Sequence, residues 1–143
     1  MANAPPRLLA HSAVEVEWIG ASEFEAHRPG GPKIRIDGDS KSAPSPFDTL
    51  LAAIATCSAT DVVSILAKQR TPAGALKVTV EARRLDATPR RLAAVTLHFS
   101  IAAPGATAPK AARAVELAVT RYCSVRSSLL AEIPVTWTVE LST

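Results

Sequence analysis

Three segments of the sequence alternate apolar and polar residues one by one, and this pattern limits the folds open to the chain. It covers residues 76–83, 95–101 and 135–141, and shorter copies occur at 14–18 and 34–36. A period of two places all the apolar side chains on one face of a β-strand and all the polar ones on the other. The pattern therefore predicts an antiparallel or mixed sheet with one buried face and one solvated face.

Two further stretches have helical periodicity. The first begins at 45–48, Ser-Pro-Phe-Asp, where the serine can cap, the proline fits the first turn and the aspartate completes an acidic variant of the capping box. Apolar residues then recur three and four apart through residues 47–65, which predicts a helix that ends near Arg70. A second long helix is predicted over about 109–130.

The resulting order is strands, long helix, hairpin, long helix and final strand. This order is typical of an α+β fold in which both helices pack on one face of the sheet. A chain of 143 residues with 48% apolar residues can bury one sizeable core. We therefore predict a single domain over residues 1–143, with residues 1–10 as a flexible or loosely attached N-terminus.

Charge and hydropathy argue against two classes of partner. The net charge of +3 is spread along the chain, and its densest stretch, 83–91, lies around a predicted turn, so no nucleic-acid partner is expected. The longest apolar run, residues 50–54, is too short to span a bilayer, and the first residues lack the order of a secretion signal. We predict a cytoplasmic protein with no membrane partner.

The sequence contains two cysteines, Cys57 and Cys123, one on each predicted helix. In the cytoplasm a structural disulfide is not the default, so a reduced, metal-binding or redox-active role has to be considered. If the helices pack side by side the two sulfurs could meet, and a disulfide needs Cα atoms within roughly 7 Å. Small residues flank Cys57, which leaves room for a partner or substrate. The alternative that each cysteine is only a small core residue stays open.

Other cysteine chemistry has less support in the sequence. The three histidines, His11, His27 and His98, fall on separate predicted elements without paired ligand spacing, and there is no Cys-x-x-Cys. We therefore predict no metal and no resident cofactor. A papain-like pairing of cysteine and histidine also lacks a local signature.

Two segments closely resemble the cysteine motifs of a known family. The stretch 45–66, which contains the first cysteine, and Arg121-Tyr-Cys-Ser-Val125 resemble the two motifs of the OsmC/Ohr family (osmotically inducible protein C and organic hydroperoxide resistance protein). The order of elements and the Ile-Asp-Gly at 36–38 match as well, so the resemblance covers nearly the whole chain. The Tyr-Cys-Ser-Val segment and the Asp-Val-Val at 61–63 place it nearest the OsmC-like branch.

The resemblance implies an OsmC-like fold, with a mostly antiparallel sheet and an interwoven homodimer whose active sites lie at the interface. It also implies a thiol peroxidase in which Cys57 attacks an organic hydroperoxide and becomes a sulfenic acid, which Cys123 resolves as a disulfide. An external dithiol, small or lipoyl-type, is expected to reduce that disulfide. The alternative is a non-catalytic OsmC-like ligand-binding or stress-response protein with a drifted active site.

Members of the family activate the first thiol with an arginine from the loop between the first strands. The best match here is Arg28, with Arg35 as a weaker candidate, and either is equally interpretable as a solvated surface residue. The family holds this arginine with a glutamate, which Asp48 replaces. Nine residues separate Asp48 from Cys57, so on one straight helix they lie about 13.5 Å apart. Asp48 would have to reach the site through a helix break or from a second subunit, or else serve only as a helix cap.

Asp61 is expected to support the site. It follows Cys57 by one helical turn on the side of the apolar stripe, where an unpaired carboxylate is costly, so we predict a partner for it. The candidates are Arg126 and Arg121, which flank Cys123 and can equally be surface residues.

Overall fold

The computed structural model describes residues 3–142, and the predicted α+β class is confirmed. Its elements, in chain order, are β1 (Glu15–Gly20), β2 (Glu23–His27), β3 (Ile34–Asp37), α1 (Pro46–Lys68), β4 (Ala75–Arg84), β5 (Leu92–Ala102), α2 (Ala108–Leu117), a π-helix (Ala118–Tyr122), α3 (Ser124–Ser127) and β6 (Val135–Ser142). The chain forms two compact units, one ending at Thr49 and the other beginning at Leu50. The expectation that both belong to one domain stays a prediction.

The N-terminal unit is built on a three-stranded antiparallel sheet, β1-β2-β3. Residues paired across the strands share a face, so the sheet has an apolar side and a charged side. The apolar side carries Val16, Trp18, Phe24, Ala26, Ile34 and Ile36. The sequence analysis did not predict β2, because this strand has only two apolar residues to mark its alternation.

A buried carboxylate, Asp37, organises the loop that follows β3. Asp37 is 2% exposed, and its oxygens accept hydrogen bonds from the hydroxyls of Ser22 (2.5 Å) and Ser42 (3.1 Å). They also accept from the backbone N–H groups of Asp39, Lys41 and Ser42, at 2.9, 3.0 and 2.9 Å. Ser22, then the N–H groups of Ser42 and Asp39, outweigh burial and hold the pKa of Asp37 far below its usual range.

The C-terminal unit contains the second sheet, β4-β5-β6. Its central strand, β5, pairs antiparallel with β4 and parallel with β6, so three of the four strand pairings in the described chain are antiparallel. The alternation predicted for β5 is confirmed, because its four odd-numbered residues from 95 to 101 are at most 1% exposed. On α1, Ile54, Val62 and Leu66 are completely buried. These side chains form the core of the unit.

Helix α1 begins as the sequence predicts. The Ser45 hydroxyl accepts from the Asp48 N–H, and the Asp48 carboxylate accepts from the Ser45 N–H, both at 3.0 Å. This reciprocal pair is the predicted capping box. The helix then runs without a break to Lys68, two residues short of the predicted end.

Helix α1 extends well beyond the apolar run at 50–54. It has 23 residues, and an 18-residue window within it has a mean hydropathy of 1.9, so by length and composition alone it could cross a bilayer. Its buried stripe, with Ile54, Val62 and Leu66 at 0% exposure, is also what the core helix of a globular protein has. Length and composition are therefore weak evidence for a membrane span.

The second helical stretch lies where predicted but is not one continuous helix. It changes to π geometry at Ala118, and at Cys123 the backbone becomes extended (φ −71°, ψ 100°) before α3 adds one turn. The N–H of Cys123 bonds to the Ala118 carbonyl, five residues back, at 3.0 Å. No proline or glycine lies between residues 110 and 130, so nothing in the periodicity marks this interruption.

Replacing Asp37 with asparagine is expected to lower the free energy of unfolding at pH 7, since an amide cannot accept all the donors that surround the carboxylate. The folded-state pKa is depressed, so the stabilisation exists above the ordinary carboxyl pKa of about 3.9 and is lost as the pH falls below it. The difference in the free energy of unfolding between wild type and Asp37→Asn should therefore become smaller between pH 5 and pH 3. Urea unfolding at pH 7, 5 and 3 measures it.

Asp39→Asn is the matched control, because Asp39 is an exposed carboxylate in the same loop. It should leave stability nearly unchanged at each pH. A deficit in Asp37→Asn that stayed constant down to pH 3 would show that the charge of Asp37 is not the stabilising feature.

Candidate functional site

The structure brings the two thiols together in the C-terminal unit. Cys57 lies in the middle of α1, one turn after the buried Ile54, and its sulfur is half-buried 3.8 Å from the Ser124 hydroxyl. The side chain of Cys123 lies close enough to the Cys57 sulfur to help lower its pKa. Residues 66 positions apart in the chain are thus neighbours, as the sequence analysis considered.

Cys123 occupies the junction between the π-helix and α3. It is 3% exposed, and its sulfur accepts the backbone N–H of Arg126 at 3.3 Å, which makes it the N-cap of α3. The same sulfur lies 4.0 Å from the Ile54 carbonyl on α1. These contacts hold the second thiol against the turn of α1 that precedes the first thiol.

The pKa of the Cys57 thiol is lowered from its ordinary value. Burial is the largest single influence and acts to raise it, but four hydrogen-bond donors act together in the opposite direction. They are the backbone N–H of Val125, the Ser124 hydroxyl, the Cys123 thiol and the backbone N–H of Ser124. Each of them is a neutral group that stabilises the thiolate over the thiol. A lowered pKa raises the thiolate fraction, and the thiolate is the nucleophile.

The interruption after Tyr122 explains why these backbone donors are available. The first N–H groups of a helix have no carbonyl one turn back to bond. Because α3 begins at Ser124, the N–H groups of Ser124 and Val125 are of this kind, and they point to the Cys57 sulfur. In one continuous helix both would bond to carbonyls within the helix. π-Helical segments are frequent at functional sites.

Arg126 and Arg121 lie near the thiols but do not pair with Asp61. The guanidinium of Arg126 donates to the Val119 carbonyl at 3.3 Å, and that of Arg121 lies 5.7 Å from the centre of the Tyr122 ring. Asp61 is half-buried, and within residues 3–142 it has neither a hydrogen bond nor an ion pair. The prediction that Asp61 has a partner is therefore not met among these residues, because both arginines turn to other groups.

The remaining predicted site residues belong to the N-terminal unit. Arg28 is exposed just after β2, and its carbonyl accepts from the Gly31 N–H at 2.8 Å. Arg35 is exposed on the charged side of the sheet, opposite Glu25, as its polar-face placement predicted. Asp48 caps α1, and since α1 is unbroken, only the second-subunit route to a thiol remains for it. A role at the thiol stays a prediction for all three.

A cavity of about 240 Å³ lies beside Cys123. Its walls combine polar and apolar groups in nearly equal measure and come from the π-helix, α3 and the segment up to the start of β6: Val119, Thr120, Arg121, Cys123, Arg126, Ser127, Leu129, Leu130, Ala131, Ile133 and Val135. The volume is slightly below the usual range for drug-sized ligands, about 300–1,000 Å³. It is large enough for a small organic group next to the second thiol.

Ser124 and Val125 lie within the second cysteine motif, but the sequence alone indicates no role for them. Their donors act on Cys57 only because the helix is interrupted at Cys123, and the interruption has no proline or glycine to announce it. The only usable signal was a serine directly after the cysteine, a residue type that favours helix starts.

Comparison with known proteins identifies the family. The profile described as OsmC-like protein matches residues 38–138, well over half of the chain. The chain belongs to the OsmC-like family. Protein YhfA of Escherichia coli K12 is 35% identical over 127 residues, which cover 88% of this chain and 95% of YhfA. The resemblance seen in the two cysteine motifs is thus confirmed over the matched region.

Solved structures confirm the OsmC-like fold. The OsmC-like protein from Mycoplasma pneumoniae superposes with a TM-score of 0.80 at 16% identity, covering 95% of this chain and 100% of that one. The organic hydroperoxide resistance protein OhrB of Bacillus subtilis gives 0.60 at 12% identity, with coverages of 91% and 98%. At such identities the likeness concerns the fold.

Titration of the thiols should give Cys57 a pKa below the usual value of about 8.5. Ser124→Ala removes one hydroxyl donor and should raise it by a fraction of a unit to about one unit, the scale of one hydrogen bond to a charged group. The rate of alkylation by iodoacetamide against pH measures this, with Cys123→Ser used to isolate Cys57. Ser127→Ala, which alters a hydroxyl on the same short helix, is the control. An unchanged pKa in Ser124→Ala would remove Ser124 from the site.

Proposed function

We propose that the protein is a thiol-dependent peroxidase that reduces organic hydroperoxides. The observation that carries this proposal is a half-buried thiol with a lowered pKa, Cys57, beside a second thiol, Cys123. A peroxidase of this kind needs a nucleophilic sulfur and a resolving sulfur close by, and the contact supplies both.

The reaction begins at the Cys57 thiolate. Its sulfur attacks the terminal oxygen of ROOH, the O–O bond breaks, and RO⁻ leaves and takes a proton to become an alcohol. Cys57 is oxidised to a sulfenic acid while the peroxide is reduced. The Cys123 thiolate then attacks the sulfenic sulfur, water is released, and a Cys57–Cys123 disulfide forms.

An external dithiol completes the cycle. Its first thiolate attacks the disulfide to give a mixed disulfide, and its second thiol releases the protein in the reduced form. The sum is one hydroperoxide and one dithiol converted to one alcohol, one water and one external disulfide. A small or lipoyl-type dithiol is the reductant class we propose, and no resident cofactor takes part in these steps. The cavity beside Cys123 offers an approach for such a molecule.

We also propose that the working form is a homodimer in the cytoplasm. The outward side of α1 carries Thr56, Ala59, Thr60 and Val63, and Val63 is 46% exposed. In the N-terminal sheet, Trp18 is 67% exposed and Val16 60% exposed. Contiguous exposed apolar surface is typical of a protein–protein interface. A second copy would cover them and would offer a route for Arg28 or Asp48 to reach a thiol.

A non-catalytic ligand-binding or stress-response role is the alternative, and one observation favours it. Cys123 lines the cavity and Cys57 does not, so a molecule held there contacts the buried thiol first. A binding protein would retain this cavity without turning over peroxide.

One equivalent of cumene hydroperoxide should convert both free thiols to an intramolecular Cys57–Cys123 disulfide. Mass spectrometry of non-reduced peptides detects this bond, with loss of two hydrogens and no added oxygen. In Cys123→Ser the sulfenic acid has no resolving thiol, so dimedone should label residue 57. In Cys57→Ser, peroxide consumption should fall by at least about a hundredfold, because the nucleophile is gone.

Cys57→Ser therefore also serves as the control for direct oxidation of Cys123. Thiols that persist in wild type after the peroxide treatment, or full turnover by Cys57→Ser, would rule out the proposed reaction and favour the binding role.

The proposed dimer predicts a mass twice the 15.0 kDa of the chain by light scattering at micromolar concentration. Ala59→Glu places a charge on the outward side of α1 and should shift the mass to that of one chain, since an unpaired buried charge is costly. Ala112→Glu, at an exposed position of α2, is the matched control and should remain dimeric. A monomeric wild type, or flotation of wild type with phosphatidylcholine vesicles, would contradict the assignment of this surface to a second copy.

A further inference from the structure

The charged side of the N-terminal sheet places two carboxylates and one imidazole around a common point. Glu15 and Glu17 lie two residues apart on β1 and therefore on one face, and His27 on β2 is the direct cross-strand partner of Glu15. One ligand atom from each of the three lies within 4.8 Å of the others. The Nε2 atom of His27 is 3.6 Å from a Glu15 oxygen and 3.5 Å from a Glu17 oxygen.

The hydrogen bonding of His27 fixes which nitrogen faces the carboxylates. Its Nδ1–H donates to the Arg28 carbonyl at 2.8 Å, and a carbonyl oxygen can only accept, so Nδ1 carries the proton. In the neutral imidazole, Nε2 then presents a lone pair to two carboxylates. The His27 side chain is 10% exposed, whereas both glutamates are more than half exposed. A positive charge at the centre, either a proton on Nε2 or a cation, offsets the repulsion between the lone pair and the carboxylates.

Distances favour a metal cation over a proton. A charge-assisted hydrogen bond from a protonated imidazole to a carboxylate has a length of about 2.7–2.9 Å. Two ligands about 2.0–2.1 Å from a tetrahedral Zn²⁺ lie roughly 3.3–3.4 Å from each other. The observed separations of 3.5 and 3.6 Å are longer than such a charge-assisted bond and lie close to the edge of that tetrahedron, although the 3.5 Å contact is still within reach of a weaker hydrogen bond.

The contacts around the imidazole also match those of a metal ligand. Histidines that bind metals usually donate their other N–H to a backbone carbonyl or carboxylate, which fixes the tautomer and orients the ring. The bond to the Arg28 carbonyl does this here. The same carbonyl accepts from the Gly31 N–H, so the turn after β2 holds it in place.

We propose that Glu15, Glu17 and His27 form a binding site for a divalent transition-metal ion of the Zn²⁺ type. One nitrogen and two carboxylate oxygens suit such an ion, and three protein ligands leave a coordination position open to solvent or to an exogenous ligand. The bound ion joins β1 to β2 and thereby stabilises the N-terminal unit. The site stands apart from the peroxidase proposal, since no cysteine belongs to it.

The expectation of no metal arose from searching for paired cysteines and histidines. Here the ligands are a Glu-x-Glu pair on one strand and a histidine ten residues later, brought together only by the register of β1 with β2. The sequence analysis did not predict β2 and therefore had no basis for this register.

Zinc titration of the full chain tests the site, and the two thiols are first removed because thiolates in general are good zinc ligands. Isothermal titration calorimetry of the Cys57→Ser/Cys123→Ser variant should show one Zn²⁺ per chain, and zinc should raise its melting temperature. Adding Glu15→Gln, Glu17→Gln or His27→Gln to this background should weaken binding by at least about tenfold, the scale found even for outer partners of metal sites. The two glutamates are more than half exposed, so their variants should fold even if His27→Gln does not.

His98→Gln is the matched control. His98 also donates or accepts through Nδ1, to the Thr138 hydroxyl at 2.8 Å, and its Nε2 lies 3.5 Å from one carboxylate, that of Glu81. With a single carboxylate it should not bind zinc, so this variant should keep the affinity of the thiol-free protein. Absence of zinc uptake by the thiol-free protein, or equal weakening in Glu15→Gln and His98→Gln, would overturn the proposal.

Discussion

The interruption of the second helical stretch at Cys123 is the constraint on which the thiol site depends. An unbroken helix would bond the N–H groups of Ser124 and Val125 to its own carbonyls and would place Cys123 among ordinary helical residues. The π-helix and the extended Cys123 release those donors and direct them to Cys57. A four-residue helix is thereby enough to oppose the effect of burial on the thiol pKa.

The identity of these donors bears on how the thiol is activated. The expectation from the family was a guanidinium near Cys57, supplied by Arg28 or Arg35. Within the C-terminal unit, the groups that lower the pKa of Cys57 are instead neutral dipoles from Val125, Ser124 and Cys123. A neutral donor favours the thiolate without adding a charge that must itself be desolvated. Part of the activation is therefore local to the C-terminal unit and does not require the N-terminal one.

Periodicity in the sequence was sufficient for most of the fold, because burial in this chain follows it closely. The buried odd-numbered residues of β5 and the capping box at Ser45 both came from spacing alone. Two elements were not predicted, and in each case the reason is that the spacing of residues carries no mark of the element. Strand β2 has too few apolar residues to show a period, and the π-helix arises within a segment that contains no proline or glycine to mark it. Local spacing cannot report a change that long-range packing imposes.

At the two candidate sites as well, residues marked by a motif could be predicted and residues brought together by the fold could not. Cys57 and Cys123 were recognisable because motifs mark each of them, and the structure had only to bring them into contact. Ser124, Val125 and the group of Glu15, Glu17 and His27 act through geometry that no single segment contains: a helix start in one case and a cross-strand register in the other. At the first site the Cys57 sulfur faces hydrogen-bond donors, and at the second the His27 Nε2 atom faces two carboxylates. In both, the backbone sets that arrangement, through free N–H groups at α3 and through the Arg28 carbonyl at His27. The backbone conformation therefore orients the side chains whose chemistry each site uses.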